Sequence, residues 1–182
     1  MAKSIDTPLT DEIVVGLHSG DRVLLNGYIY TGRDAAHKRL VEMLNKGEKL
    51  PFELEGQVIY YVGPCPAKPG RVIGSAGPTT SGRMDAYAPL LMEKGLKGMI
   101  GKGLRNKDVV DSIIKNKAVY FAAIGGAGAL LAESIKKAEV IAFPELGPEA
   151  IYKLRVENFP ATVIIDFEGN DLYKIGKEQY KR

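Results

Sequence analysis

Through its second half the chain alternates short apolar runs with amphipathic segments, and this alternation limits the folds open to it more than any other feature. "LKGMIGKG" and "KAVYFAAIGG" read as strands with the helical "NKDVVDSIIKN" between them. "AGALLAESIKK" then reads as a helix, "AEVIAFPE" as a strand, "GPEAIYKLRVE" as a helix and "ATVIIDFEG" as a strand. Helical crossovers bring successive strands side by side in parallel, so the pattern predicts an α/β fold with a largely parallel central sheet flanked by helices. A chain of 182 residues, 45% of them hydrophobic, suffices for one sizeable core, and no linker or low-complexity stretch divides it. The expected organisation is a single domain over residues 1–182.

The first half fits the same plan. "DRVLLNGYIYTGRD" holds a continuous apolar and aromatic run suited to a strand buried on both faces. In the following "AAHKRLVEMLNKG", Ala36, Leu40, Met43 and Leu44 recur at helical spacing and Gly47 supplies a stop. Thr31 with Asp34 three residues on resembles a capping box, which predicts a helix start near residues 32 to 34. "GQVIYYVGP" predicts another strand and "GPCPAKPG" is punctuation. "RMDAYAPLLMEKG" predicts a helix that Pro89 kinks or divides.

Charge and cysteine content exclude several classes. The net charge is +3, from 25 basic and 22 acidic residues spread along the chain, which gives no basic patch for nucleic acid. No apolar run approaches the ~20 residues of a bilayer span, and the N-terminus lacks the apolar region of a signal peptide. One cysteine, Cys65, excludes an internal disulfide and cannot build a metal or iron–sulfur site alone. Pro64 and Pro66 flank it and no nearby His or acid would activate it as a nucleophile. The expectation is a cytoplasmic protein with no membrane or nucleic-acid partner and no metal ligands of its own.

Three places concentrate polar chemistry where a strand gives way to a helix, which is where open α/β sheets collect ligands. Arg33 is the first. It reads either as a two-point grip on a carboxylate beside a helix N-terminus or as a surface arginine paired with Asp34 or Glu42. His37, one turn on, is a pH-active group or a packing residue. The second place is "GSAGPTTSGRMD", where Gly77 permits close backbone approach and Thr79, Thr80 and Ser81 offer three hydroxyls ahead of Arg83. One hydroxyl would serve as a helix cap, so the other two and the arginine call for another explanation. The third is "IGKG", with Lys102 between two glycines. Three cations facing one pocket would suit a dicarboxylate. A competing signal is the glycine-rich Gly125 to Gly128 turn, which resembles a dinucleotide-binding turn but has Leu131 where a third small residue is required.

In this order and spacing, "TGRDAAHKR", "YYVGPCPAKPG", "GSAGPTTSGRMD" and "MIGKG" resemble the β subunit of the two-subunit iron–sulfur hydro-lyases, the class I fumarases and L-tartrate dehydratases. The resemblance runs from about Leu9 to Tyr173. It implies a swivelling β/β/α domain and a partner α subunit whose cysteines hold a [4Fe-4S] cluster. It also implies Arg33, Arg83 and Lys102 as substrate-binding cations and Thr79 as the candidate base. The implied reaction is reversible hydration of fumarate to (S)-malate or dehydration of L-tartrate, between which these residues do not choose. Two alternatives stay open: a dinucleotide-binding module using Gly125 to Gly128, and a non-catalytic subunit that stabilises its partner.

Overall fold

A computed structural model describes residues 1–124 and 127–179, with nothing described of the Gln179 side chain. Seven strands form one sheet: β1 (Lys3–Asp6), β2 (Arg22–Thr31), β3 (Val58–Tyr60), β4 (Gly98–Gly101), β5 (Val119–Ala122), β6 (Ile135–Ala142) and β7 (Ile151–Ile165). The helices are α1 (Asp11–Val15), α2 (Asp34–Asn45), α3 (Ala88–Glu93), α4 (Lys107–Asn116), α5 (Gly128–Glu133) and α6 (Leu172–Gln179). Short 3₁₀ helices cover Ser81–Met84 and Pro144–Glu149.

The strand order is β1-β2-β3-β4-β5-β7-β6. Neighbours from β1 to β5 pair in parallel, as the alternating pattern predicts. The departure is β7, which runs antiparallel to β5, β6 and also β2. Because β7 joins β5 to β2, strands β2, β3, β4, β5 and β7 close into a barrel-like ring. The fold is therefore mixed α/β with a sheet of mostly parallel strands, curled shut by one long antiparallel strand.

Period-two alternation explains two cores. Val58, Tyr60, Val119, Phe121, Val156, Phe159 and Val163 belong to one buried cluster that fills the ring. The intervening Ile59, Tyr61, Met99 and Tyr120 belong to a second. That second cluster is completed by Ala36 and Leu40 of α2, Leu91 of α3, and Val109 and Ile113 of α4, so these three helices pack on the outside. Each large apolar side chain removed from water in this way contributes roughly 1.5–3 kcal/mol.

Several expectations need correction. The stretch "GPEAIYKLRVE" is not a helix: from Ile151 it is the first part of the 15-residue β7, continuous with the strand expected after it. Ile151 packs in the outer cluster while Leu154 and Val156 pack in the inner one, as the two faces of a strand do, and pairing with β2 and β6 on its two edges holds it in the sheet. The helix expected over "AGALLAESIKK" stops at Glu133, and Ile135 already begins β6. The capping box at Thr31 is not made. The Thr31 hydroxyl donates to the Ala150 carbonyl (3.3 Å) and accepts from the Tyr152 amide (2.9 Å), tying β2 to the start of β7. Pro89 does divide its segment, since it falls in the first turn of α3 after the separate 3₁₀ helix.

Candidate active site

The parallel strands β2, β3 and β4 end side by side, and the four predicted site residues follow those ends. Arg33 comes two residues after Thr31, the last of β2, and is the N-cap residue of α2 without a side-chain cap. Thr79 is fastened beyond the end of β3, where its amide donates to the Tyr61 carbonyl (2.8 Å). Lys102 directly follows β4, and its carbonyl accepts from the Ser81 amide (2.9 Å) while Thr80 bridges to it in parallel. Residues 79–81 thus extend the sheet between the ends of β3 and β4. Arg83 lies on the 3₁₀ helix that starts there.

Two of the cations share a carboxylate. Asp34 Oδ2 lies 4.0 Å from Arg33 Nη2 and 4.0 Å from Arg83 Nη1. The Arg33 side chain is 27% exposed and also approaches Glu149, with Nε 3.7 Å from Oε1. The Arg83 side chain is 58% exposed, Lys102 is exposed and Thr79 is half-buried. The other partner considered for Arg33, Glu42, faces Lys38 instead.

The hydroxyls divide in a way the sequence does not reveal. Ser81 is buried, with its Oγ 2.8 Å from the Tyr120 hydroxyl, so it is neither a cap nor a ligand group. Thr80 is the N-cap residue of the 3₁₀ helix but makes no side-chain capping bond. Room for Ser81 comes from Gly101, where a Cβ would lie 2.0 Å from the serine oxygen.

Arg33 also owes its place to a glycine. A Cβ on Gly63 would stand 2.9 Å from Arg33 Nη1 and 3.1 Å from its Cδ. His37 lies behind, fully buried, with its ring edge-on to Tyr61. Its Nδ1 donates to the Arg33 carbonyl at 2.9 Å, which leaves Nε2 with a free lone pair. Burial pushes its pKa down to about 4 against the pull of that hydrogen bond, with the Arg105 charge adding to the shift. The ring is neutral near pH 7, the packing alternative of the two considered.

Among the described residues, the buried side-chain polar atoms without a hydrogen-bond partner are Arg33 Nε, Asp34 Oδ1, His37 Nε2 and Glu149 Oε1. One belongs to Arg33 itself, and of the other three Glu149 Oε1 lies 3.7 Å from it, beyond hydrogen-bond reach. A buried polar group without a hydrogen bond costs roughly 1–3 kcal/mol, so a cluster of such groups at one place calls for a partner that a bound anion or water would supply. Sequence reasoning missed Glu149, Asp85, Arg105 and Gly63. Each acts across a long sequence separation with no local motif to mark it.

The remaining glycine signal is partly accessible. Gly125 and Gly126 lie outside the described residues. Gly128 packs tightly, since a Cβ there would meet Ser75 Oγ at 2.4 Å and the Gly77 amide nitrogen at 2.9 Å. Cys65 is exposed, and among the described residues no three His, Cys, Asp or Glu side chains cluster to hold a metal ion. No helix is long and apolar enough to cross a membrane among the residues described.

An α/β ring with cations and a threonine at the ends of adjacent parallel strands defines a candidate anion-binding enzyme domain, and comparison with known proteins specifies which. Residues 2–176 match the family model described as fumarase C-terminus, and the chain belongs to that family. It is 46% identical over 156 residues to fumarate hydratase 2 of Leishmania major, covering 85% of this chain and 28% of that protein. It is 45% identical over 155 residues to the anaerobic class I fumarate hydratase of Escherichia coli, covering 84% and 28%. The chain thus spans little more than a quarter of the length of these relatives. A protein of Methanocaldococcus jannaschii named "Putative L(+)-tartrate dehydratase subunit beta" is 42% identical over 181 residues, covering 96% of this chain and 93% of its own.

Proposed function

We propose that this chain is the β-type part of a two-subunit [4Fe-4S] hydro-lyase that hydrates fumarate reversibly to (S)-malate or dehydrates L-tartrate. In this reading residues 1–182 act as one swivelling β/β/α domain of a cytoplasmic enzyme, set against an α-type partner. The support is the family membership, together with a relative of nearly the same length that is named as a β subunit. The observation that carries the site is the convergence of Arg33 and Arg83 on one carboxylate oxygen, that of Asp34, at 4.0 Å each. Two guanidinium groups so placed are ready to exchange a protein carboxylate for one of a dicarboxylate substrate.

In this proposal Arg33, Arg83 and Lys102 hold the substrate carboxylates. Removal of a proton from the carbon beside a carboxylate builds negative charge on that carboxylate, and fixed cations stabilise it most in the transition state. Thr79, fixed by its amide to Tyr61, takes that proton during dehydration and returns it during hydration. A threonine hydroxyl is a weak base, and the cations around it lower the cost of its ionised form. This chain's residues do not fit a [4Fe-4S] cluster, since one exposed cysteine cannot supply the thiolates, so the proposal places the cluster on the α-type partner.

Thr79→Val tests the assignment because valine keeps the shape and removes the oxygen. In the reconstituted complex, turnover and exchange of the substrate C3 hydrogen with deuterated solvent should both fall by ~100-fold or more, within the range of general base catalysis. Near-normal rates for both would remove Thr79 from proton transfer.

A further inference from the structure

Beneath the candidate residues lies a buried cation with no part in binding substrate. The Arg105 side chain is 0% exposed and that of its partner Asp85 is 9% exposed. Arg105 Nε donates to Asp85 Oδ1 at 2.6 Å, and Nη2 donates to the Tyr61 hydroxyl at 3.4 Å. The guanidinium carbon sits 5.3 Å from the Tyr61 ring centroid and 4.8 Å from that of Tyr120. Asp85 Oδ2 accepts from the Asn106 amide at 2.7 Å. Tyr120 donates its hydroxyl proton to the Gly103 carbonyl at 2.8 Å, with Ser81 Oγ on its other side.

Stability does not account for this arrangement, because a buried ion pair rarely outperforms well-packed apolar side chains of the same volume. Its connections do. Asp85 caps the 3₁₀ helix that carries Arg83. Gly103 adjoins Lys102, and Tyr61 receives the Thr79 amide. One guanidinium and its cage therefore reach the two segments, 79–85 and 101–106, that carry three of the four candidate residues, and Tyr61, to which Thr79 is bonded.

We propose that Arg105 and Asp85 are positioning residues: their pair clamps segment 79–85 to segment 101–106, fixing Thr79, Arg83 and Lys102 in one geometry around a dicarboxylate. The proposal rests on the functional reading above for its substrate, but the clamp itself can be measured without turnover. A guanidinium held at Nε and lying over two tyrosine rings fixes direction as well as distance, which a solvated lysine would not.

The experiment uses the full chain carrying Asp85→Asn or, as a milder change that removes only the hydroxyl link, Tyr120→Phe. Hydrogen exchange by mass spectrometry or NMR reads the clamp directly. The amides of Thr79 and Ser81 should exchange at least tenfold faster, with those of β2 and β7 unchanged. In complex with the α-type partner, KM for the dicarboxylate should rise tenfold or more, which a simple loss of folded protein would not produce. Unchanged exchange at Thr79 and Ser81, uniformly faster exchange across the sheet, or an unchanged KM would each overturn the clamp. A wild-type complex without hydro-lyase turnover would overturn the functional reading instead, and the exchange result would still decide whether the two segments are clamped.

Discussion

The backbone carbonyl of Arg33 accepts two hydrogen bonds from His37, one from its amide and one from its ring Nδ1, each at 2.9 Å. The doubled bond fixes Arg33 at the N-cap of α2 with φ −115 and ψ −162, the conformation that turns the chain from β2 into the helix. A residue with no access to solvent thereby governs the placement of a candidate substrate-binding cation.

The buried, neutral His37 ring gives acid sensitivity of definite sign. Its pKa is about 4 in the folded chain against 6.5 for a free imidazole, so the unfolded state binds the proton more readily between those values. The stabilisation is complete above pH 6.5 and is lost as pH falls toward 4, by about 3 kcal/mol if no other group compensates. Urea unfolding of wild type and His37→Phe at several pH values from 4 to 7 should show the wild type losing more stability on acidification, with the difference confined to that window.

Gly63→Ala should separate site geometry from stability. The new methyl group would meet the flexible end of Arg33, so the guanidinium moves and the fold accommodates it. The expected outcome is a melting temperature lowered by a few degrees at most and a KM for the dicarboxylate raised about tenfold or more in the reconstituted complex, since small misplacements of a binding group are costly.

Thr79 and Thr80 are neighbours with different expected roles. Thr80 is exposed and makes no capping bond through its side chain, so Thr80→Val should leave turnover within about threefold of wild type and stability within about 0.5 kcal/mol. Steady-state assays of this variant beside Thr79→Val separate a specific hydroxyl from a general need for polarity in the loop.

Arg83→Lys keeps the charge and discards the planar fork. The side chain is largely exposed and its ion pair with Asp34 is long, so the melting temperature should change little. Activity should fall by about tenfold or more, and thermal denaturation with kinetics on one preparation checks both halves of the expectation.

Much of the fold can be read from local pattern, because β2, α2, β4, α4 and β5 carry their own periodicity and caps. Asn106, for example, caps α4 by accepting from the Val109 amide. What the pattern does not convey is the length of β7 and its antiparallel course. Its Lys153, Arg155 and Glu157 give the stretch a helical composition although they alternate with buried Leu154 and Val156 at strand period, and pairing with β2, β5 and β6 makes it the strand that closes the ring. The same limit applied at the site. Arg33, Arg83 and Lys102 stand out because glycines, hydroxyls and cations gather at strand ends, whereas Thr79 is set apart from Thr80 and Ser81 only by the family resemblance. Arg105, in "GLRNKD", looked like any charge before a helix. Its burial between Tyr61 and Tyr120 follows from packing of distant segments, as does the diversion of the Thr31 hydroxyl from capping to β7.

The central proposal is that this chain supplies half of a site completed by an α-type partner. Its most direct test is anaerobic mixing of the purified chain with that partner, followed by assay of fumarate hydration and L-tartrate dehydration. Each component alone should be inactive, the mixture should turn over one of the two substrates, and a mixture made with Arg33→Ala should lose ~100-fold or more of that rate. Full activity of the partner alone, or of the mixture containing Arg33→Ala, would contradict a shared site.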